Sequence, residues 1–287
     1  MTYQTVRANG LDFAFLEAGK GPTVLLLHGF PDIAETWEYQ IPELVQAGFR
    51  VVAPYLRGYP PTEIPQGGYS DRATLALDVK ELILAVGNGE PVFLVGQDWG
   101  AAIAYGVIAA FPELIRRAVV MAIPHPGMIL QSLTNPEQVH RAFHWWFFQL
   151  PDLPEKSVAA NNFAFIDYLW KYWSPGHDDA DHISRIKTML STPGAISSTI
   201  GYYRAMLNPV NQDQALAEIR AAMDRPVQVP TLAICGSKDI RGEVLEAQSV
   251  FFKGEYQSAI IPDCGHFLHR EQPAQVTRLI LKWFSET

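Results

Sequence analysis

In the stretch Gly96-Gln97-Asp98-Trp99-Gly100 an aspartate has a glycine two residues to either side. The apolar run Val92–Val95 leads into it, and an alanine-rich helical pattern starting at Ala101 follows. A strand that turns directly into a helix leaves its turning residue strained and exposed. Small neighbours at minus two and plus two then let the backbone cross itself. The next N–H lies at a helix N-terminus, where developing negative charge is stabilised. A carboxylate in this position suits one chemistry. Attack on an ester or amide carbonyl would form a high-energy anhydride, whereas attack on a saturated carbon forms an ordinary ester by displacement. The expected substrate therefore has an electrophilic sp³ carbon and a leaving oxygen or halide. Simply capping the helix at Trp99 is the alternative role for Asp98, but a cap does not call for the paired glycines.

An ester on Asp98 must be hydrolysed, which needs a base and an oriented acid behind it. His266, in Cys264-Gly265-His266-Phe267, follows the last apolar run and is the base candidate. Asp239, ending Gly236-Ser237-Lys238-Asp239, follows the preceding run and can orient an imidazole and stabilise its charged form. Asp263, just before His266, is read as a turn residue. Among the other histidines, His28 belongs to the loop His28-Gly29-Phe30-Pro31. His269 opens the closing helix and is expected to face solvent. His125, His140, His177 and His182 are read as surface or packing residues.

The elements that must position these groups alternate. Leu11–Glu17, Thr23–Leu27, Phe49–Tyr55, the run before Asp98, Arg117–Ile123, Thr231–Cys235 and Ser258–Ile261 read as strands, several apolar throughout as if buried on both faces. Helical patterns separate them, including an amphipathic one capped by Ser70-Asp71 and a closing one from about Gln272 to Phe284. This is an α/β chain with a mostly parallel, doubly covered sheet. After Pro124-His125-Pro126-Gly127 the rhythm breaks, and up to Pro226 only helical and aromatic stretches occur. The division expected is a core of residues 1–126 and 226–287, with a helical insertion at 127–225.

The formal charge of −8 argues against nucleic acid or an anionic membrane as partner. No apolar run reaches the length of a membrane span, and the start lacks a signal-peptide pattern, so a cytoplasmic protein is expected. Two cysteines give neither a disulfide framework nor a metal quartet, and both are read as buried thiols.

Four motifs in order, His28-Gly29-Phe30-Pro31, Gly96-Gln97-Asp98-Trp99-Gly100, Gly236-Ser237-Lys238-Asp239 and Cys264-Gly265-His266-Phe267, each end a predicted strand. Together they resemble the α/β-hydrolase fold. Within it they resemble the branch of epoxide hydrolases and haloalkane and haloacetate dehalogenases, bacterial epoxide hydrolases in particular. The resemblance spans nearly the whole chain and makes the insertion a cap (lid) over the site. It implies an Asp98–His266–Asp239 triad, no cofactor and no metal, and an oxyanion hole from the N–H groups of Phe30 and Trp99. The family's other acid position falls in Ile123-Pro124-His125-Pro126, which has no carboxylate; this favours Asp239.

Epoxide hydrolases usually protonate the leaving oxygen with two cap tyrosines. Tyr203, before Arg204, matches one, and its neighbour Tyr202 is read as packing. The other position, anchored on Phe148-Gln149 and Pro151, falls on His144, a departure from the pattern that keeps a proton donor. His144, Trp145 and Tyr203 also resemble the halide-holding trio of haloacetate dehalogenases. Those enzymes place arginines one and four residues after the nucleophile, where this chain has Trp99 and Ala102, which argues against a short haloacid. Haloalkane dehalogenases share the tryptophan after the aspartate but place Asn or Glu where Phe30 stands. Trp146, Phe147 and Phe148 are read as cap packing. The leading expectation is a cofactor-free hydrolase of a small apolar epoxide. A haloalkane dehalogenase, or one enzyme acting on both substrates, comes next, and a non-catalytic ligand-binding protein of the same fold is third.

Overall fold

The computed structural model describes residues 3–132, 134–239, 245 and 247–286. The chain opens with a hairpin, β1 (Gln4–Ala8) and β2 (Leu11–Gly19). Its Asn9-Gly10 turn places both residues at positive φ, 40° and 78°, as a two-residue hairpin loop of this twist requires. β1 is largely exposed and lacks the apolar run by which the later strands are legible.

β3 (Thr23–Leu27), β4 (Arg50–Pro54), β5 (Val92–Gln97), β6 (Ile115–Met121), β7 (Thr231–Gly236) and β8 (Tyr256–Ile261) complete one sheet, in the order β1-β2-β4-β3-β5-β6-β7-β8. β1 with β2 and β2 with β4 pair antiparallel; all later neighbours are parallel. β3, β5 and β7 are buried at every residue, as central strands covered on both faces must be.

The covering helices are α1 (Gln40–Gln46), α2 (Arg72–Val86) and α3 (Trp99–Ala110) early in the chain. Between β6 and β7 come α4 (Pro126–Ser132), α5 (Pro136–Arg141), α6 (Phe143–Phe147), α7 (Leu153–Trp173), α8 (Ala180–Leu190), α9 (Ala195–Leu207) and α10 (Ala217–Met223). That stretch contains no strand among the described residues. α7 is broken at Ala160–Phe163, where three residues take left-handed backbone angles. The short α11 (Leu268–Glu271) and then α12 (Pro273–Ser285) close the chain. No helix among the described residues is long and apolar enough to cross a membrane. The two cysteines, Cys235 and Cys264, are free and buried.

The parallel order carries the C-terminal ends of β3, β5, β7 and β8 to one edge of the sheet, where ligands bind in open α/β sheets. The four motif loops leave from those ends.

Candidate active site

Asp98 stands between β5 and α3 with φ 51° and ψ −119°, a strained backbone for a residue with a Cβ. The strain is held by close backbone crossings. A Cβ on Gly96 would run into the Gly100 carbonyl, and one on Gly100 into that of Leu27. Glycine at both positions is thus the condition for the turn.

The carboxylate divides its two oxygens. Oδ1 accepts the Phe30 N–H at 2.8 Å. Oδ2 lies 3.4 Å from His266 Nε2, which makes no hydrogen bond. The other imidazole nitrogen, Nδ1, is 2.8 Å from Asp239 Oδ2, a fully buried carboxylate. Burial works against the imidazolium, but the charges of Asp239 and Asp98 outweigh it and raise the His266 pKa to about 10.

Each partner is fixed from behind. His28 Nε2 accepts the Leu56 N–H at 3.1 Å, so its proton sits on Nδ1 and is donated to the Gly29 carbonyl at 2.9 Å. Burial keeps this ring neutral, its pKa lowered to about 4. The carbonyl before Phe30 N–H is thereby held in place. The His266 loop is pinned to the end of α7: His266 N–H donates to the Trp173 carbonyl at 3.0 Å, and Phe267 N–H to Ser174 Oγ at 3.1 Å. Trp170, also on α7, stacks on Phe267 with 3.5 Å between ring centroids and donates its indole N–H to the Pro31 carbonyl at 3.2 Å. One helix therefore fixes both the loop carrying His266 and the loop carrying Phe30.

A cavity of about 340 Å³ opens above Asp98 and His266. Trp99, His144, Trp145 and Tyr203 also line it, so six of the eight residues singled out from the sequence border one space. Phe30 and Asp239 reach it through Asp98 and His266. The Tyr203 ring lies edge-on to Trp99 at 5.2 Å, Phe30 at 5.4 Å and His144 at 5.3 Å. Its backbone is anchored by Gln149, whose Nε2 donates to the carbonyls of both Tyr203 and Trp145 at 2.9 Å. Arg204 ties the same turn to Phe148 O and Glu155. Tyr202 points elsewhere, donating to the Arg57 carbonyl at 2.8 Å, while Trp146 is 40% exposed and borders nothing catalytic.

Two features were not anticipated. His269 does not face solvent: it is fully buried, its Nε2 2.6 Å from Thr36 Oγ1, because α11 is wedged under the loop after Phe30. Thr36 in turn donates to Asp32 at 2.7 Å, and Asp32 also meets His182 of α8 at 2.6 Å. Trp173 lines the cavity between His144 and His266, with ring centroids at 4.9 and 5.1 Å. In the sequence it was one aromatic among many in a helical stretch, a pattern that signals burial and no more.

The family profile described as the alpha/beta hydrolase family matches residues 24–279. Epoxide hydrolase 4 of Mus musculus is 30% identical over 297 residues, covering 99% of this chain and 79% of that protein. The AB hydrolase superfamily protein YfhM of Bacillus subtilis is 31% identical over 287 residues, covering 98% and 96%. Among solved structures, epoxide hydrolase A of Mycobacterium thermoresistibile superposes with a TM-score of 0.83 over 99% of this chain and 98% of that one, at 21% identity, a likeness of fold. With a profile match from β3 into α12, the chain belongs to the alpha/beta hydrolase family.

Proposed function

We propose that this protein is an epoxide hydrolase that works through an ester on Asp98. The observation that carries the reading is the division of labour on that carboxylate, with Oδ1 held by the Phe30 N–H and Oδ2 turned to His266. In this scheme Oδ2 attacks a ring carbon, the carbon–oxygen bond of the epoxide breaks, and Tyr203, assisted by His144, gives the leaving oxygen its proton. Oδ1 becomes the ester carbonyl oxygen, already at the donor that would receive an oxyanion; the Trp99 N–H at the start of α3 is the second donor. His266 then takes a proton from water, the hydroxide attacks the ester carbon, and the tetrahedral intermediate collapses to a diol and a free Asp98. Tyr203, deprotonated by ring opening, regains a proton from His266 before His266 acts as base, and the proton taken from water stays on the ring once Asp98 is a carboxylate again. Epoxide-hydrolase relatives at about this identity support the substrate class. The helices of residues 127–225 act in this scheme as a cap over a core of 1–126 and 226–287, shielding the ester and presenting His144, Trp145 and Tyr203 to the leaving group. Small apolar epoxides are the proposed substrates, with no cofactor.

The test is a single turnover with enzyme in excess in heavy-oxygen water. The isotope should enter the Asp98 side chain; label found only in the diol would overturn the ester scheme. A haloalkane reading rests on Trp99 and Trp145 lining the same cavity. A panel of epoxides beside bromo- and chloroalkanes decides it, since halide release without diol formation would replace the epoxide assignment.

A further inference from the structure

The cavity does not end in apolar side chains. Arg72, the first residue of α2, also lines it. Its Nε is buried without a hydrogen bond, and no carboxylate reaches ion-pair distance of the guanidinium among the described residues. The fold gains nothing visible from this cation, since a positive charge at a helix N-terminus opposes the helix dipole.

Its carboxylate neighbours do not serve it. Asp71 is saturated: Oδ1 accepts Ala73 N–H and Arg220, and Oδ2 accepts Thr74 Oγ1 and the Asp213 N–H. Asp224 is exposed, and its charge reaches Arg72 only at longer range. His125, whose pKa is lowered by burial and by Arg72 to about 4, is neutral near pH 7 and adds no charge. Arg220, which lines the same cavity, is tied through Nη2 to Asp71 and to the Asp213 carbonyl. The Arg72 guanidinium thus borders the cavity with no hydrogen bond or ion pair among the described residues, and Ile123, Met206 and Met223 line the same space.

We infer that this cavity takes epoxides bearing a carboxylate remote from the ring, with Arg72 pairing the carboxylate while Asp98 faces the ring. The inference rests on the epoxide reading for its substrate and on the Arg72 environment for the anion. A planar guanidinium meets a carboxylate through two parallel hydrogen bonds. A phosphate dianion would bring a second negative charge, which the nearby Asp71 and Asp224 would repel.

The experiment pairs a medium-chain terminal epoxy acid with its methyl ester, and separately a saturated acid with the alcohol of equal length. Wild-type enzyme should turn over the acid with the higher kcat/KM. Arg72→Gln should lower the acid-to-ester ratio roughly 10–100-fold through KM, and Arg72→Lys should restore part of it. Quenching of tryptophan fluorescence should show the saturated acid binding wild type at least about tenfold tighter than the alcohol, a gap that closes in Arg72→Gln. Equal binding of acid and alcohol by the wild type, or a ratio unmoved by Arg72→Gln, would overturn the carboxylate proposal. Diol from neither epoxide, with the saturated acid still bound through Arg72, would overturn the epoxide reading instead.

Discussion

The carbonyl of Trp173 accepts the N–H of His266 at 3.0 Å, and the Trp173 indole lies 5.1 Å from the imidazole it helps to hold. A residue between β6 and β7 thus fixes His266 from two directions, by main chain and by ring. The main-chain bond needs no particular side chain, but the ring packing does. Trp173→Phe should keep kcat within a few-fold of wild type. Trp173→Ala should cost about 3–5 kcal/mol of stability and lower kcat/KM at least tenfold. Denaturant unfolding and steady-state rates check both; wild-type kinetics in Trp173→Ala would remove the ring from the argument.

The charge on His266 depends on Asp98. Burial opposes the imidazolium, and Asp239 and Asp98 together lift the pKa from 6.5 to about 10. In the resting enzyme the ring is protonated and is no base. In the proposed scheme esterification removes the Asp98 charge, so the ring can pass its proton to Tyr203 and act as a base only once there is an ester to hydrolyse. Asp98→Asn, a neutral mimic of the ester, should lower the His266 pKa, measured by NMR titration of the ring protons; an unchanged value would undo this account of timing.

A stability effect follows from the same shift. The folded-state pKa lies above the unfolded one, so His266 contributes stability fully below about pH 6.5 and loses it as pH rises toward 10. The Tm of wild type should fall across that window, and it should fall less in Asp98→Asn.

Asp32 presents the opposite sign. Burial alone would raise its pKa, but His182 at 2.6 Å, with Thr36, lowers it from 3.8 to about 2. Its contribution is present above about pH 3.8 and is lost as pH falls toward 2. Asp32→Asn leaves His182 on α8 without its carboxylate and should cost roughly 3–5 kcal/mol at pH 7, read from urea unfolding. A cost under about 1 kcal/mol would mean the pair is not holding α8 to the loop after Phe30.

Much of this was legible from local rules. Strands buried on both faces announce themselves as unbroken apolar runs, so β3, β5 and β7 could be read directly. The elbow could be read because only glycine fits where Gly96 and Gly100 sit. β1 carried a hairpin signal in Asn9-Gly10 but no apolar run, and it was passed over. His269 looked like a surface helix residue because nothing in its neighbourhood announces Thr36, which lies 233 positions away. Arg72 was hidden for a similar reason: a lone arginine after a capping aspartate reads as an ordinary helix start, and only the folded cavity shows it unpaired. Residues whose role comes from local backbone geometry are visible in sequence; those whose role comes from who is absent around them are not.

In the proposed scheme the leaving group separates the two donors, Tyr203 and His144. An alkoxide must gain a proton, whereas a halide needs only hydrogen bonds, so removing a proton donor should hurt epoxide opening more than dehalogenation. The Tyr203 ring packs against Phe30 and Trp99, which flank the elbow, while the His144 ring lies 5.3 Å from Tyr203 and beside Trp173 in the same cavity. Tyr203→Phe keeps the ring packing and deletes only the hydroxyl. It should slow epoxide alkylation of Asp98 by about 10²–10⁴-fold. His144→Phe should slow it by less, and the double variant by more than either. Rates are best read in a His266→Ala background, where the ester accumulates and intact mass reports it. Should His144→Phe prove the more damaging change, the order of the two donors would have to be reversed, with His144 protonating the oxygen and Tyr203 orienting it.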